Sequence, residues 1–230
     1  MRSSAIYVEI PIQATVDYLW GLTQDTSKHQ RWDGRFTQIT EVDTGDLGAP
    51  TRFRYGIRIA PGVWIRGHGE NTGNRHSPTG AAVSALKFWS DERLSLIRSG
   101  TGYWRYVAET DTVTRFITKY DYEVRWGRLG KIADYVWRPL MGRLTAWSFD
   151  RLRLWAERGL SPSVTRLTTL CSVSFAISGA VALLTQSPRL ALVASAGWAA
   201  MRPITPKARR CARRRMLAAT PSTPNHAAAR

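Results

Sequence analysis

The chain has 230 residues and a formal net charge of +16, a length that suits one medium domain with a sizeable core and an appendage. The charge is uneven: residues 1–166 hold 24 Lys and Arg with all 17 acidic residues, whereas residues 167–230 hold 9 basic residues and no acid. Two cysteines, Cys171 and Cys211, exclude a disulfide framework and fit a reducing cytosol.

The amino-terminal part of the chain alternates between strand and helix patterns. Ile6, Val8 and Ile10 share one face of a strand pattern, and this start contains no apolar segment typical of a signal peptide. Asp25 is a candidate cap between two short helices. The predicted elements are a strand over Ser4–Pro11, helices over Thr15–Gln24 and Lys28–Trp32, and a strand over Phe36–Asp43.

Five further segments alternate polar and apolar residues with a period of two. In the last of them, Arg115 and Lys119 are predicted to face outward, while Phe116 and Tyr120 face inward. The connections are of hairpin length, which predicts an antiparallel sheet. These strands are predicted over Arg52–Ile59, Val63–Glu70, Ala81–Trp89, Leu94–Val107 and Thr114–Trp126.

The longest helix pattern, Gly130–Arg158, follows the last strand directly. Its apolar stripe needs a surface to bury against, and a curved sheet with aromatic residues inside needs a cover for its concave face. Pro139 is expected to bend or restart this helix. The predicted fold class is therefore α+β, a curved antiparallel sheet wrapped around a long helix and followed by an apolar helical hairpin.

Residues 4 to about 158 resemble the helix-grip (SRPBCC) superfamily, which includes START lipid-transfer domains, birch-pollen-allergen proteins and the polyketide cyclase/dehydrase group. The order of elements carries most of the resemblance, together with the segments VEIPIQATVDYLWGLTQDTSKHQRWD, GYWRY and TAWSFDRLRLWAE. The resemblance implies an apolar cavity between sheet and helix that holds a lipid or another hydrophobic small molecule. It does not identify the ligand.

The aromatic residues of the inner face are the candidate ligand-binding residues. Aromatic walls with a few hydroxyl and indole donors suit an amphipathic ligand. The alternative is that the same side chains fill the core and leave no cavity. The candidate ligand-binding residues are Phe53, Tyr55, Trp64, Phe88, Trp104, Tyr106, Phe116, Tyr120, Tyr122, Trp126, Leu144 and Trp147.

The sequence does not establish catalysis, and the catalytic residues are unknown. His68 is the one candidate general base, with Glu70 or Arg66 to orient a bound carbonyl group. The preferred interpretation of the same Arg-x-His-x-Glu pattern is an exposed polar sheet face. No metal-ligand motif and no cofactor motif is present, so neither a metal nor a cofactor is predicted.

The carboxy-terminal part is predicted to attach the chain to a membrane. Leu167–Thr185 contains 19 residues without a charge, close to the length of a spanning helix, and Leu190–Met201 forms a second apolar helix after a turn. Basic flanks on both sides place both ends of this hairpin in the cytoplasm. An alternative is two helices packed on the domain or on a partner subunit. The predicted domains are 1–160 for ligand binding, 161–205 for the membrane hairpin and 206–230 for a basic disordered tail.

These patterns leave three functional hypotheses. The first is a domain at the cytoplasmic face of a membrane, attached through residues 167–204 and the basic tail, that binds a lipid or other hydrophobic small molecule. The second is a polyketide cyclase/dehydratase-like enzyme that uses the same cavity, with His68 or a tyrosine as acid or base. The third is a structural or interaction protein with a filled core. Nucleic acid is not an expected partner, since no reading module accompanies the arginines. The oligomeric state stays open.

Overall fold

The structure is a computed structural model that describes residues 5–42, 50–76 and 80–213. The predictions for Ser4, Asp43 and residues 214–230 lie outside the described residues. The strands are β1 (Ile6–Ile12), β2 (Gln38–Val42), β3 (Arg52–Ala60), β4 (Val63–His76), β5 (Ala81–Trp89), β6 (Ile97–Thr110) and β7 (Val113–Val124). The helices are α1 (Val16–Gln24), α2 (Thr26–Trp32), α3 (Gly127–Arg158), α4 (Pro162–Leu184) and α5 (Pro188–Met201), followed by a short 3-10 helix, Ala208–Arg210.

The seven strands form one antiparallel sheet in the order β1-β7-β6-β5-β4-β3-β2. The strand at one edge is therefore the first in the chain, and β1 joins the last strand rather than the next one. This confirms the α+β prediction and the order strand, two short helices, six strands and one long helix.

Cross-strand register assigns every side chain to one face of the sheet. Tyr55 pairs with Gly67, and Phe53 with Gly69, so these residues share the inner face. The neighbouring residue His68 pairs with Arg54 and therefore lies on the outer face.

The two short helices close one end of the inner face. The side chain of Thr15 accepts a hydrogen bond from the backbone N–H of Tyr18 at the start of α1. The side chain of Asp25 accepts from the backbone N–H groups of Ser27 and Lys28 at the start of α2. These caps set where each helix begins, one or two residues from the predicted bounds.

Helix α3 packs most closely on β1 and on the short 3-10 helix Ala208–Arg210, with fewer contacts to β7. It starts after Trp126, which has a positive φ of 65°, and ends at Gly159, whose N–H donates to the carbonyl of Trp155 at 3.0 Å. Pro139 lies inside the helix, which continues through it. The core between α3 and the sheet contains Phe149 stacked on Phe116, with ring centroids 4.5 Å apart.

Helices α4 and α5 form an antiparallel hairpin joined by a short turn. Gly197 lies against the ring of Phe175, and a Cβ at Gly179 would stand 3.9 Å from the Cβ of Ala194. Small residues at the contact allow the two helices to approach closely. The outward sides of both helices are apolar and exposed.

Residues 206–213 differ from the predicted disordered tail, because they return to the domain. The Cys211 side chain is buried in the core, and its thiol donates to the carbonyl of Ala146 at 3.2 Å. Ala212 forms an antiparallel bridge with Glu9 on the edge strand β1. The basic composition of this segment concealed these contacts, which join parts of the chain that are distant in sequence.

Candidate functional site

The inner face of the sheet divides into a filled half and an open half. In the filled half, Trp104, Tyr106 and Phe116 pack with Trp32 and Phe149 in one continuous core. The hydroxyl of Tyr106 also contacts that of Thr23 at 2.5 Å. These rings are close-packed, so no space for a ligand is expected among them.

The open half carries three glycines, Gly67, Gly69 and Gly100, with aromatic side chains laid over them. A Cβ at Gly69 would stand 2.1 Å from the ring of Phe53, and one at Gly67 would stand 2.3 Å from Tyr55. A Cβ at Gly100 would stand 2.3 Å from the ring of Phe88. Rings that lie across glycines stay close to the backbone, so they form a flat aromatic floor. Gly102 differs, because a Cβ there would meet the Cβ and backbone of its strand neighbour Tyr120 rather than a ring.

Phe53 and Phe88 on this floor are only partly buried, in contrast to the core residues of the filled half. On α3, Trp137 and Leu144 are also partly buried and pack against the edge of the core. The indole N–H of Trp137 is enclosed and has no hydrogen-bond partner among the described residues. An enclosed donor without an acceptor costs about 1–3 kcal/mol, which marks a place where an acceptor would be bound favourably.

A buried ion pair borders the floor on one side. Arg35 donates two hydrogen bonds to Asp33, at 2.9 and 2.6 Å, and a third to Thr145 on α3 at 3.3 Å. Burial alone would raise the pKa of Asp33, but the charge and hydrogen bonds of Arg35, with a further bond from His29, hold it well below its ordinary value. The Arg35 guanidinium lies 5.5 Å from the ring centroid of Tyr120, so a fixed positive charge stands beside the aromatic floor.

A second polar cluster borders the floor toward the start of α3. The hydroxyl of Tyr122 donates to Asp134 at 2.7 Å, and Arg138 donates to the other oxygen of Asp134 at 2.8 Å. Burial, together with the bond to Asp134, raises the pKa of Tyr122 well above its ordinary value. Burial also raises the pKa of Tyr55 to about 12. Both phenols are therefore protonated at neutral pH, and both already donate, that of Tyr122 to Asp134 and that of Tyr55 to the carbonyl of Trp89 at 3.3 Å.

Solved structures with the same architecture identify the fold. The Zhui aromatase/cyclase from Streptomyces sp. R1128 is 14% identical, with a TM-score of 0.53 over 67% of this chain and 93% of that chain. The hypothetical protein jhp0584 from Helicobacter pylori is 12% identical, with a TM-score of 0.51 over 66% of this chain and 86% of that chain. The chain has the helix-grip fold.

A relative in sequence is the "uncharacterized membrane protein YndG" of Bacillus subtilis (strain 168). It is 41% identical over 163 residues, which are 70% of this chain. The chain spans 60% of the length of that relative. No protein-family model matches the chain.

The helix-grip domain places half of the predicted ligand-binding residues around the open half. Phe53, Tyr55, Phe88, Tyr120 and Tyr122 lie on the inner face there, as predicted from the alternation. The sixth, Leu144, is partly buried on α3 and packs against the core cluster that includes Tyr120 and Tyr122.

The other six predicted residues lie elsewhere in the helix-grip domain. Trp104, Tyr106 and Phe116 are on the predicted face but belong to the filled half. Trp147 packs over Gly34 and under the guanidinium of Arg151 instead of over the sheet.

Trp64 and Trp126 require correction. Trp64 pairs with Arg58 and lies on the outer face, because the inner-face residues of β4 are the odd-numbered Gly67 and Gly69. Trp126 lies beyond the end of β7, is 45% exposed, and donates its indole N–H to the carbonyl of Arg93. The alternation rule does not apply once the strand has ended.

His68 also lies outside the candidate site. It is on the outer face, stacked on Trp89 at 5.5 Å, between two shallow hollows of about 440 and 660 Å³. The sheet separates it from the open half, so it does not serve as a base for a ligand bound there. Across residues 5–42, 50–76 and 80–213, no group of three or more His, Cys, Asp or Glu side chains is placed to hold a metal ion.

Several residues of the site were missed by sequence reasoning. Arg35 and Asp33 follow α2 in a turn-like WDGRF segment that looks solvent-exposed. The glycines of the site could have been found from the sequence. Gly67 and Gly69 are two residues apart, as are Gly100 and Gly102, so each pair lies on one face of a strand. A pair of glycines on one inner face of a strand indicates close approach of another group.

Proposed function

We propose that this helix-grip domain binds a lipid or another hydrophobic small molecule between the open half of the sheet and α3, and that the α4–α5 hairpin attaches it to a membrane. The observation that carries the binding proposal is the aromatic floor over Gly67, Gly69 and Gly100. Side chains laid flat on a sheet leave the volume above them to another molecule.

The polar groups around the floor define the ligand chemistry. A mostly apolar ligand contacts the rings, and its few polar atoms meet Arg35 and the unpaired indole N–H of Trp137. Both groups are donors, so the ligand carries acceptors such as carbonyl or carboxyl oxygens. The relationship of fold to an aromatase/cyclase is compatible with a substrate of this kind but does not assign a reaction.

The membrane proposal is supported by the length and surface of α4. Its 23 residues extend about 34 Å at 1.5 Å per residue, enough to cross a hydrocarbon core of about 30 Å. Its most apolar window has a mean hydropathy of 1.9, and only 11% of that window is buried in the protein. Large apolar side chains such as Leu167, Leu170 and Ile177 point outward.

Four hydroxyl groups within α4, those of Thr165, Thr168, Thr169 and Ser172, are compatible with a membrane, because they are already bonded. Thr169 donates to the carbonyl of Thr165 at 2.8 Å, and Ser172 contacts Thr205 at 2.9 Å. Hydroxyls that bond to the preceding helical turn carry little penalty in hydrocarbon. The flanks of the hairpin are basic at Arg166 and Lys207, which supports a cytoplasmic position for both ends.

A glycine variant tests the ligand site. In Gly69→Ala, the new Cβ pushes the Phe53 ring off the sheet into the proposed binding volume. We expect stability to change little and the co-purified ligand, measured by native mass spectrometry of the detergent-solubilised protein, to be reduced or lost. Gly73→Ala on the same strand is the matched control, because nothing lies within 4 Å of its Cβ position.

Ligand retained by Gly69→Ala at the level of the parent protein would contradict the binding proposal. A loss of stability of about 1–3 kcal/mol would also contradict it, since that is the cost of overpacking a filled core. The double variant Gly69→Ala/Phe53→Ala removes the displaced ring and is expected to restore ligand binding.

Cysteine labelling tests the membrane attachment and its sidedness. In a Cys171→Ser background, we expect Glu157→Cys and Arg209→Cys to react with an impermeant maleimide only after the cytoplasmic side is opened. These two positions flank the hairpin on the domain side. Labelling of either position from outside intact cells would contradict the cytoplasmic location. Release of the protein from membranes by alkaline carbonate would contradict the hairpin anchor.

A further inference from the structure

The first half of α3 exposes an unusual amount of apolar surface. Ile132 is 66% exposed, Tyr135 75% and Val136 74%. Together with Trp126, Leu129 and Leu140 they form what we name the α3 patch. These residues follow helical spacing, so most of them share one side of the helix.

The opposite side of the same helical segment is buried. Gly130, Asp134 and Met141 face the domain, and Trp137 packs at the edge of its core. The segment is thus apolar on two sides, one against the sheet and one toward solvent. A helix with apolar residues on more than its core side has a second partner.

The charges around the patch indicate what that partner is. From residue 127 to residue 143, the exposed charged side chains are Arg128, Lys131 and Arg143. The one acid in this stretch, Asp134, is buried and bonded to Tyr122 and Arg138. An apolar strip whose own helical stretch exposes only basic charged side chains complements an anionic lipid surface.

The aromatic residues of the patch agree with this assignment. Trp126 and Tyr135 combine an apolar ring with a polar group, and such residues are enriched at the boundary between lipid and water. A second copy of the chain fits less well. A two-fold contact through this strip would bring the basic side chains of the two copies together and cost free energy.

We infer that the α3 patch is a second membrane-contact surface, which lies in the headgroup region of the bilayer to which the hairpin is attached. The inference rests on the proposed hairpin anchor, because the anchor keeps the patch at a high effective concentration near lipid. Helix α3 then has the bilayer on one side and the open half of the sheet on the other.

Spin labels on the full-length protein test this inference. In the Cys171→Ser background, single variants Ile132→Cys and Val136→Cys are labelled with a nitroxide and reconstituted in vesicles with or without phosphatidylglycerol. Cys211 stays unlabelled, because its thiol is buried. The matched control is Arg105→Cys, at an exposed position on the outer face of β6. Relative accessibility to oxygen and to a water-soluble nickel chelate reports the depth of each label.

On reconstitution, we expect the ratio of oxygen accessibility to nickel-chelate accessibility to rise severalfold at positions 132 and 136. The rise should be larger with phosphatidylglycerol and absent at position 105. If the protein remains in the vesicles after a carbonate wash but the labels stay accessible to water, the patch assignment alone is overturned. Labels shielded from both reagents would overturn it in favour of a protein partner such as a second copy. Loss of the protein from carbonate-washed vesicles would remove the anchor, and this inference with it.

Discussion

The Asp33–Arg35 pair gives the candidate site a fixed charge that water does not screen. The Asp33 side chain has no exposed surface, and that of Arg35 has 10%. His29 and the Nε and Nη2 donors of Arg35 satisfy the carboxylate, and the third guanidinium nitrogen, Nη1, reaches Thr145. A buried pair of this kind is stable only when both partners are present.

Replacing Asp33 by Asn is expected to destabilise the protein by about 3–5 kcal/mol, because Arg35 is left as an uncompensated buried charge. Urea denaturation of the solubilised protein measures this change. Asp17→Asn, on the exposed side of α1, is the control and is expected to change stability by less than about 0.5 kcal/mol.

The same pair predicts a dependence on pH. The folded state lowers the pKa of Asp33, so its stabilisation is complete above the unfolded value near 3.9 and decreases as pH falls toward the folded value. We expect this acid-side loss in the parent protein and a smaller one in Asp33→Asn. Equal pH profiles for the two proteins would show that the pair does not contribute.

The alternation of residues predicted which face of the sheet each side chain lies on. It did not predict which inner-face side chains the helices cover. Alternation placed Trp104 and Phe88 on the same inner face, as the register confirms. It contained no information on which of them α1, α2 and α3 cover, since that depends on packing between distant segments. Burial of Asp33 and Arg35 likewise depends on Thr145 and Tyr120, more than 80 residues away, so their local sequence looks like a surface turn.

Helix α3 contacts the sheet, α2, the hairpin and the short 3-10 helix. Arg151 forms hydrogen bonds that join α3 to the hairpin. Its guanidinium donates to the carbonyls of Arg31 at 2.8 Å and Pro162 at 2.9 Å, and to the hydroxyl of Thr165 at 3.3 Å. Burial and then the charge of Arg166 lower its pKa to about 10, so it remains a cation at neutral pH. The side chain therefore connects α2, α3 and the first turn of α4.

Arg151→Lys is expected to loosen the base of the hairpin, because an ammonium group cannot reach three acceptors in this fork geometry. The substitution removes one or two charged hydrogen bonds, worth about 1.5–3 kcal/mol each. We expect the backbone amides of residues 160–168 to exchange hydrogen faster as a result. Exchange in the sheet should not change. Arg143→Lys, an exposed position on the same helix, controls for the substitution; matching exchange in both variants would rule out the proposed link.

At the scale of elements, the sequence predicted the number, type and order of the strands and helices. The periods of two and 3.6 residues are strong over long segments and carry this information. Bounds differed where a turn or cap decides them: β4 continues to His76 and β6 begins at Ile97. The outer apolar side of α3 was not predicted, since a single sequence does not show which of two apolar sides meets the sheet.

At the scale of the molecule, the return of residues 206–213 closes the edge of the sheet. Ala212 exchanges two backbone hydrogen bonds of 2.9 Å with Glu9, and the backbone N–H of Lys207 donates to buried Asp150 at 2.7 Å. An edge strand paired in this way is protected from association with other chains. The hairpin is therefore an insertion whose two ends are both held by the domain.

Ala212→Pro is expected to remove one of these bonds and destabilise the domain by about 1–3 kcal/mol. For a chain of this size, each kcal/mol lowers the melting temperature by roughly 2–4 °C. Arg213→Pro is the matched control, because its N–H makes no hydrogen bond among the described residues. Equal melting temperatures for the two variants would show that the bridge contributes nothing.

The bridge between Glu9 and Ala212 also orders the events of biosynthesis. Its two partners are separated by about two hundred residues, and both hairpin helices lie between them. On the ribosome, the sheet and α3 emerge before the apolar helices, but β1 gains its last neighbour only after those helices have been made. Under the proposed membrane attachment, both hairpin helices are therefore available for insertion before β1 forms its bridge with Ala212.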